Sequence, residues 1–181
     1  EKLQESEELA QQETLRVAVL FSGDTGFYSG CRKLYVELQE AIAAGQLRGS
    51  VRILPGISSV VSLAARVGES YEDTAILSMH GKKLNRLAAT VESHEKVFLL
   101  TSGCEDIRKI GQTLTEAGLG DCEVIAGYQL SYPEENIRIL MPEQCEEVTE
   151  EGLYTCLIRN PHPKPECLTH GRADTCFLRD A

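Results

Sequence analysis

The chain has 181 residues, 42% hydrophobic and 25% charged, an ordinary balance for a folded protein and enough chain for one large or two small domains. Its formal net charge of −10 argues against a nucleic-acid partner, because phosphate backbones are held by clustered Lys and Arg; an anionic small molecule needs only a local basic patch. No apolar stretch is long enough to cross a membrane, and the acidic opening EKLQESEELAQQE is not a signal peptide.

The seven cysteines include no C-x-x-C pair, so reduced thiols in a cytoplasmic protein are expected. His162, Cys167, His170 and Cys176 lie close in sequence, but their spacing matches no common zinc pattern, and no metal site is expected.

In chain order, residues 1–13 read as the end of a helix. Val17–Phe21 is a short apolar run rich in Val and reads as a buried parallel strand. It breaks into a loop holding Gly23, Gly26 and Gly30, with one carboxylate, Asp24. Glycines beyond the C-terminal end of such a strand let backbone approach a ligand, and in open α/β sheets ligands bind at that end. The spacing is neither G-x-G-x-x-G nor a phosphate loop, and a strand-to-helix turn that binds nothing is the competing reading.

A helix is predicted over Cys31–Ala44, with Gly45 as its cap. Val51–Leu54 reads as a strand ended by Pro55-Gly56. Ser58 or Ser59 then caps a helix from Val60 to Val67, and Gly68 ends it. The two serines either only cap or also offer hydroxyls to a ligand. The polar stretch ESYEDT is the best candidate domain boundary.

AILSMHG reads as a strand ending in Ser78, His80 and Gly81. Lys82, Lys83 and Arg86 follow as a compact basic cluster, either a solvated face or an anion site. Lys96–Leu100 is the next strand, then TSG, a helix over Ile107–Ala117 and a strand over Cys122–Ala126. Gly127–Pro133 is irregular and aromatic. Asn136–Leu140 and Leu153–Arg159 read as late strands, paired antiparallel at a sheet edge.

SGDTGFYSG, PGISS, SMHGKK, VFLLTSG and GYQLSYPEENI, in this order and at these spacings, resemble the tetrapyrrole (precorrin) methylase family from about Leu15 to Arg159. SMHG and LSYPEENI resemble the branch that methylates C5 of precorrin-6Y or cobalt-precorrin-7 in cobalamin (vitamin B12) biosynthesis. The tail LTHGRADTCFLRD resembles the junction into a second, C15-methylating and decarboxylating domain of fused enzymes. Two departures stand out. Gly23-Asp24-Thr25 replaces the family's Gly-Asp-Pro, and the family's opening strand with its Gly-x-Gly-Pro-Gly turn is absent, on the order of 60 residues.

The resemblance implies an α/β, two-domain tetrapyrrole-methylase-like fold with an S-adenosylmethionine cleft between the domains and the first domain incomplete. Residues 1–72 would be the remainder of the first domain, 73–160 the second and 161–181 a tail or linker. The implied cofactor contacts are Ser22, Gly23, Asp24 and Phe27, then Ser58 and Ser59, then Leu100, Gly127 and Tyr128. His80, Lys82, Lys83 and Arg86 are candidates for the acetates and propionates of an anionic macrocycle, and His80 is the candidate proton acceptor. A carboxylate on the cationic sulfur would favour the reactant over the transition state, so Asp24 is expected to hold the loop or the polar end of the cofactor. A homodimer is the family expectation. The alternative is a methylase-derived binding or assembly module, truncated and catalytically incompetent; an RNA methylase is disfavoured by the acidic charge.

Overall fold

A computed structural model describes residues 15–79 and 86–164. The chain divides into two compact units, Glu1–Ile57 and Ser58–Ala181. The polar stretch 69–74 lies inside the second.

Among the described residues of the first unit the one regular element is α1, Cys31–Ala43. It stops one residue short of the prediction, with Ala44 in place of Gly45 as the cap; Gly45 beyond it takes φ +71°, and the Gln46 N–H returns to the Ala41 carbonyl. The two strands expected here do not form. Val17–Phe21 and Val51–Leu54 are irregular, and Val17, Leu20 and Leu54 are exposed. A strand exists only by exchanging backbone hydrogen bonds with a neighbour, and neither run has a ladder partner among the described residues.

The second unit opens with α2, Ser59–Val67. Ser58 Oγ accepts from the Val61 N–H at 3.2 Å, and Gly68 at φ +68° ends the helix. Strands β1 (Ala75–Ser78), β2 (Lys96–Leu100), β3 (Glu123–Tyr128), β4 (Asn136–Leu140) and β5 (Tyr154–Arg159) form one sheet in the order β1-β2-β5-β3-β4. Helix α3 (Leu87–Ser93) connects β1 to its parallel neighbour β2, and α4 (Cys104–Glu116) connects β2 to β3. The predicted helix at 107 thus starts three residues earlier. Helix α3 and a 3-10 helix at Pro142–Glu147 escaped the sequence reading.

Strand β5 is at the centre of the sheet, not its edge, antiparallel to both β2 and β3. Its sequence YTCLIR carries the reason. Five consecutive residues, Tyr154 to Ile158, are buried, as a strand covered on both faces requires. The edge falls to β4, whose Asn136 and Ile139 are exposed.

Sheet alternation sorts the core into two layers. Val97, Leu99, Val124, Ala126, Cys156 and Ile158 pack with Leu87, Val91, Ile107, Ile110 and Leu114 from α3 and α4. The opposite face presents Phe98, Ile125 and Leu157, each fully buried, on the side of α2 with its buried Val60, Leu63 and Ala64. Phe98 in β2 lies opposite Leu157 in β5.

Candidate functional site

Two loops of the first unit clasp each other. Asp24 Oδ1 accepts from the Gly26 N–H at 2.7 Å, and Oδ2 accepts from the Gly56 N–H at 3.0 Å. Thr25 Oγ1 donates to the Leu54 carbonyl at 2.8 Å. The approach is so close that a Cβ on Gly56 would stand 2.2 Å from the Gly23 carbonyl oxygen. Gly56 is therefore a contact point where only a glycine fits, and Asp24 spans the two loops with both oxygens engaged. Asp24 is expected to hold the loop or the polar end of the cofactor; in the structure its carboxylate joins the two loops. The sequence marked Pro55-Gly56 only as a strand stop; its part in the clasp became visible with the tertiary contact.

A cavity of about 620 Å³ opens beside the clasp, within the range of small-ligand sites. Asp24, Thr25, Tyr28, Ser29, Arg32 and Tyr35 are among its lining residues. Of the glycine-loop candidates, Ser22 and Gly23 are exposed and Phe27 is half-buried, its ring edge-on to Tyr28 at 4.9 Å.

Three candidates in the second unit, Leu100, Gly127 and Tyr128, gather at one end of its sheet. Leu100 and Gly127 both pair with Thr155 of β5, one from each side, so the three stand in a row across β2, β5 and β3. Thr155 was not anticipated; it is 4% exposed and lies between two residues that were. A Cβ on Gly127 would meet Leu63 Cδ1 of α2 at 2.9 Å and Leu130 Cδ2 at 3.1 Å, so the tips of two leucine side chains pack against the glycine there. Tyr128 Oη donates to the Glu151 carbonyl at 3.1 Å, and its ring lies 5.0 Å from that of Tyr154. Ser58 caps α2, and Ser59 is its first residue.

Gly127 and Tyr128, expected to open the irregular segment, belong to β3; the irregular stretch begins after them, with Gln129 at φ +45° and Ser131 at φ +71°. Arg66 of α2 restrains it. Arg66 Nε donates to Glu135 Oε1 at 2.5 Å, and a second nitrogen donates to Ser131 Oγ at 3.3 Å. The Arg66 hydrogen bond, helped by the Ser131 N–H, holds the Glu135 carboxyl below its ordinary value. No motif in the sequence announced this pair, which lies 69 residues apart.

Arg86 is exposed at the cap of α3. His80, Lys82 and Lys83 lie outside the described residues, as do Cys167, His170 and Cys176. Cys31, Cys104, Cys122, Cys145 and Cys156 are buried free thiols. Burial pushes the Cys122 and Cys145 thiols up to about 11, and the hydrogen bond to Glu151 raises that of Cys104. Among the described residues no group of three or more His, Cys, Asp or Glu is placed to hold a metal ion.

The family model for Tetrapyrrole (Corrin/Porphyrin) Methylases matches residues 1–142. The chain belongs to that family. It is 30% identical over 141 residues to a probable cobalt-precorrin-7 C(5)-methyltransferase of Methanocaldococcus jannaschii, covering 75% of this chain and 62% of that protein. It is 31% identical over 104 residues to the precorrin-6Y C(5,15)-methyltransferase [decarboxylating] of Sinorhizobium sp, covering 58% of this chain and 23% of that one. The cobalt-precorrin-7 C(5)-methyltransferase of Salmonella typhimurium is 30% identical over 124 residues, with 68% and 57% covered. The chain thus spans at most 62% of the length of these relatives.

Solved tetrapyrrole methylases share the fold. A cobalt precorrin-4 methyltransferase matches with a TM-score of 0.57 at 17% identity over 76% of this chain and 61% of that one. The uroporphyrin-III C-methyl transferase of Thermus thermophilus complexed with S-adenyl homocysteine matches at 0.54 and 16%, over 76% and 62%. The fold expectation, an α/β tetrapyrrole methylase, therefore holds. The glycine-loop cavity has the size and the polar groups to receive the polar end of a nucleoside such as S-adenosylmethionine.

Proposed function

We propose that the chain supplies part of an S-adenosylmethionine-dependent C-methyltransferase that methylates a precorrin macrocycle in cobalamin biosynthesis, at C5 of precorrin-6Y or cobalt-precorrin-7. The observation that carries this reading is the two-loop clasp at Asp24 and Gly56, which builds a ligand-sized cavity from the family's glycine loop. The names of the relatives at about 30% identity supply the substrate.

When bound, S-adenosylmethionine supplies an electrophilic methyl group to a carbon of the macrocycle. The protein's contribution is alignment. Ser22, Gly23 and Phe27 hold the cofactor in a loop whose shape Asp24 fixes, and Ser58, Ser59, Leu100, Gly127 and Tyr128 complete the cofactor contacts. Rigid positioning of this kind is worth up to about 7–11 kcal/mol of barrier. Asp24 acts through the loop, because both of its oxygens are taken by backbone N–H groups. His80, Lys82, Lys83 and Arg86 hold the macrocycle's carboxylates, and His80 accepts the proton released after transfer. The protein works in the cytoplasm as a homodimer, alone or beside a C15-methylating, decarboxylating domain.

Calorimetric titration of the chain with S-adenosylhomocysteine tests the cofactor assignment: micromolar binding is expected, and its absence overturns the assignment. A second reading, an assembly module without catalysis, is favoured by exposed Leu15, Val17, Leu20 and Ile57, since apolar surface of this kind marks contact surfaces. Self-association without S-adenosylhomocysteine binding is the result that would select it.

A further inference from the structure

Arg32 has no place in the family motifs quoted above, yet it lines the glycine-loop cavity. Its charge does nothing visible for folding. It sits in the first turn of α1, where a cation opposes the helix dipole, and that turn holds no acidic residue. At i+3 and i+4 it meets Tyr35 and Val36, whereas its neighbour Lys33 faces Glu37 at 4.0 Å. Arg66, Arg108, Arg138 and Arg159 each pair with glutamate. Arg32 is exposed and its side chain makes no ion pair or hydrogen bond among the described residues.

The remaining wall of the cavity sharpens this. Asp24 is the acidic residue in the lining, and backbone N–H groups occupy both of its oxygens. Tyr28 lines the cavity at φ +50°, a conformation unfavourable for a bulky residue, and strain of that kind concentrates where a side chain must be aimed. Tyr35 adds a second phenol. An unpaired guanidinium with two phenolic donors is matched by a carboxylate, which can accept from all three.

We infer that Arg32, with Tyr28 and Tyr35, forms a carboxylate subsite for one acidic side chain of the macrocycle, so that the glycine-loop cavity takes substrate as well as cofactor. This rests on the proposed methyltransferase reading for the identity of the ligand. S-adenosylmethionine also bears a carboxylate, and the test separates the two sources.

The probes are uroporphyrin III, followed by its Soret absorbance, and S-adenosylhomocysteine, followed by calorimetry, each titrated into the whole chain. Arg32→Gln is expected to weaken uroporphyrin binding roughly tenfold or more, as loss of a charge-assisted bidentate contact implies. Arg32→Lys recovers part of the loss, Tyr35→Phe loses less, and Arg48→Gln, an exposed arginine away from the cavity lining, changes nothing. S-adenosylhomocysteine affinity stays unchanged in all four. Circular dichroism shows that each variant is folded. Uroporphyrin binding that is absent, or indifferent to Arg32, overturns the subsite. So does an equal or larger loss for S-adenosylhomocysteine, which would assign Arg32 to the cofactor. Arg32-dependent porphyrin binding without any S-adenosylhomocysteine binding leaves the subsite standing and removes the methyltransferase reading.

Discussion

Gly111 in the middle of α4 sets two effects of known size against each other. By helix propensity alone, Gly111→Ala should stabilise the protein by about 0.8–1.0 kcal/mol, since glycine is a poor residue in a helix interior. The 3-10 helix lies directly against this position. An added Cβ would stand 2.3 Å from the Pro142 carbonyl oxygen and 2.4 Å from Cys145 Cβ. Ordinary contact begins near 3.4 Å, so the 3-10 helix must retreat by roughly 1 Å, and a gap of that size forfeits a quarter to a half of the dispersion energy along a seam. The obstacle at Pro142 is backbone, and Cys145 is fully buried, so no flexible side chain can yield. Overpacking costs about 1–3 kcal/mol, and two contacts under 2.5 Å put this site in the upper half of that range, so a net loss of about 1–2 kcal/mol remains after the propensity gain. Urea unfolding of the wild type, Gly111→Ala and Gly120→Ala decides it. Gly120 has nothing within 4 Å of its Cβ position, so its alanine variant should match the wild type or gain about 0.4–1 kcal/mol. A Gly111→Ala protein as stable as the wild type would refute the packing of the 3-10 helix on α4.

Gly56→Ala should break the clasp, because its Cβ would lie 2.2 Å from the Gly23 carbonyl oxygen; the expected outcome is S-adenosylhomocysteine affinity reduced at least tenfold with secondary structure by circular dichroism retained. Arg66→Met should release residues 129–135, seen as faster amide exchange there while β2 and β5 stay protected. In the wild type, protection of the same segment should persist at pH 5 and fade as pH drops below the ordinary carboxylate range. Glu135 is held below that range in the fold, so its contribution is present above the unfolded value and lost as pH falls through the folded one. Cys122 and Cys145 should resist iodoacetamide at pH 8 until denaturant is added. The unfolded chain sheds these thiol protons near 9 and the folded chain near 11, so stability should decline as pH rises across that interval.

The residues alone determined what depends on near neighbours along the chain. The helix at Cys31, the serine-capped helix ending at Gly68 and all five sheet strands follow from apolar periodicity and from Ser, Gly and Pro at their ends. The order of SGDTG, PGISS and GYQLSYPEENI pointed to the tetrapyrrole methylases, and the family match agrees. Tertiary structure decided what depends on which strand lies beside which. The run YTCLIR is apolar enough for a core strand, but only pairing showed it between β2 and β3, where it brings Thr155 between Leu100 and Gly127. The runs VAVLF and VRIL read equally well as strands, yet they form none among the described residues, because strand formation needs a partner and a local pattern cannot supply one. Asp24 and Gly56 were each legible as loop residues. Their contact across 32 positions, which turns two loops into the wall of a cavity, belongs to the fold.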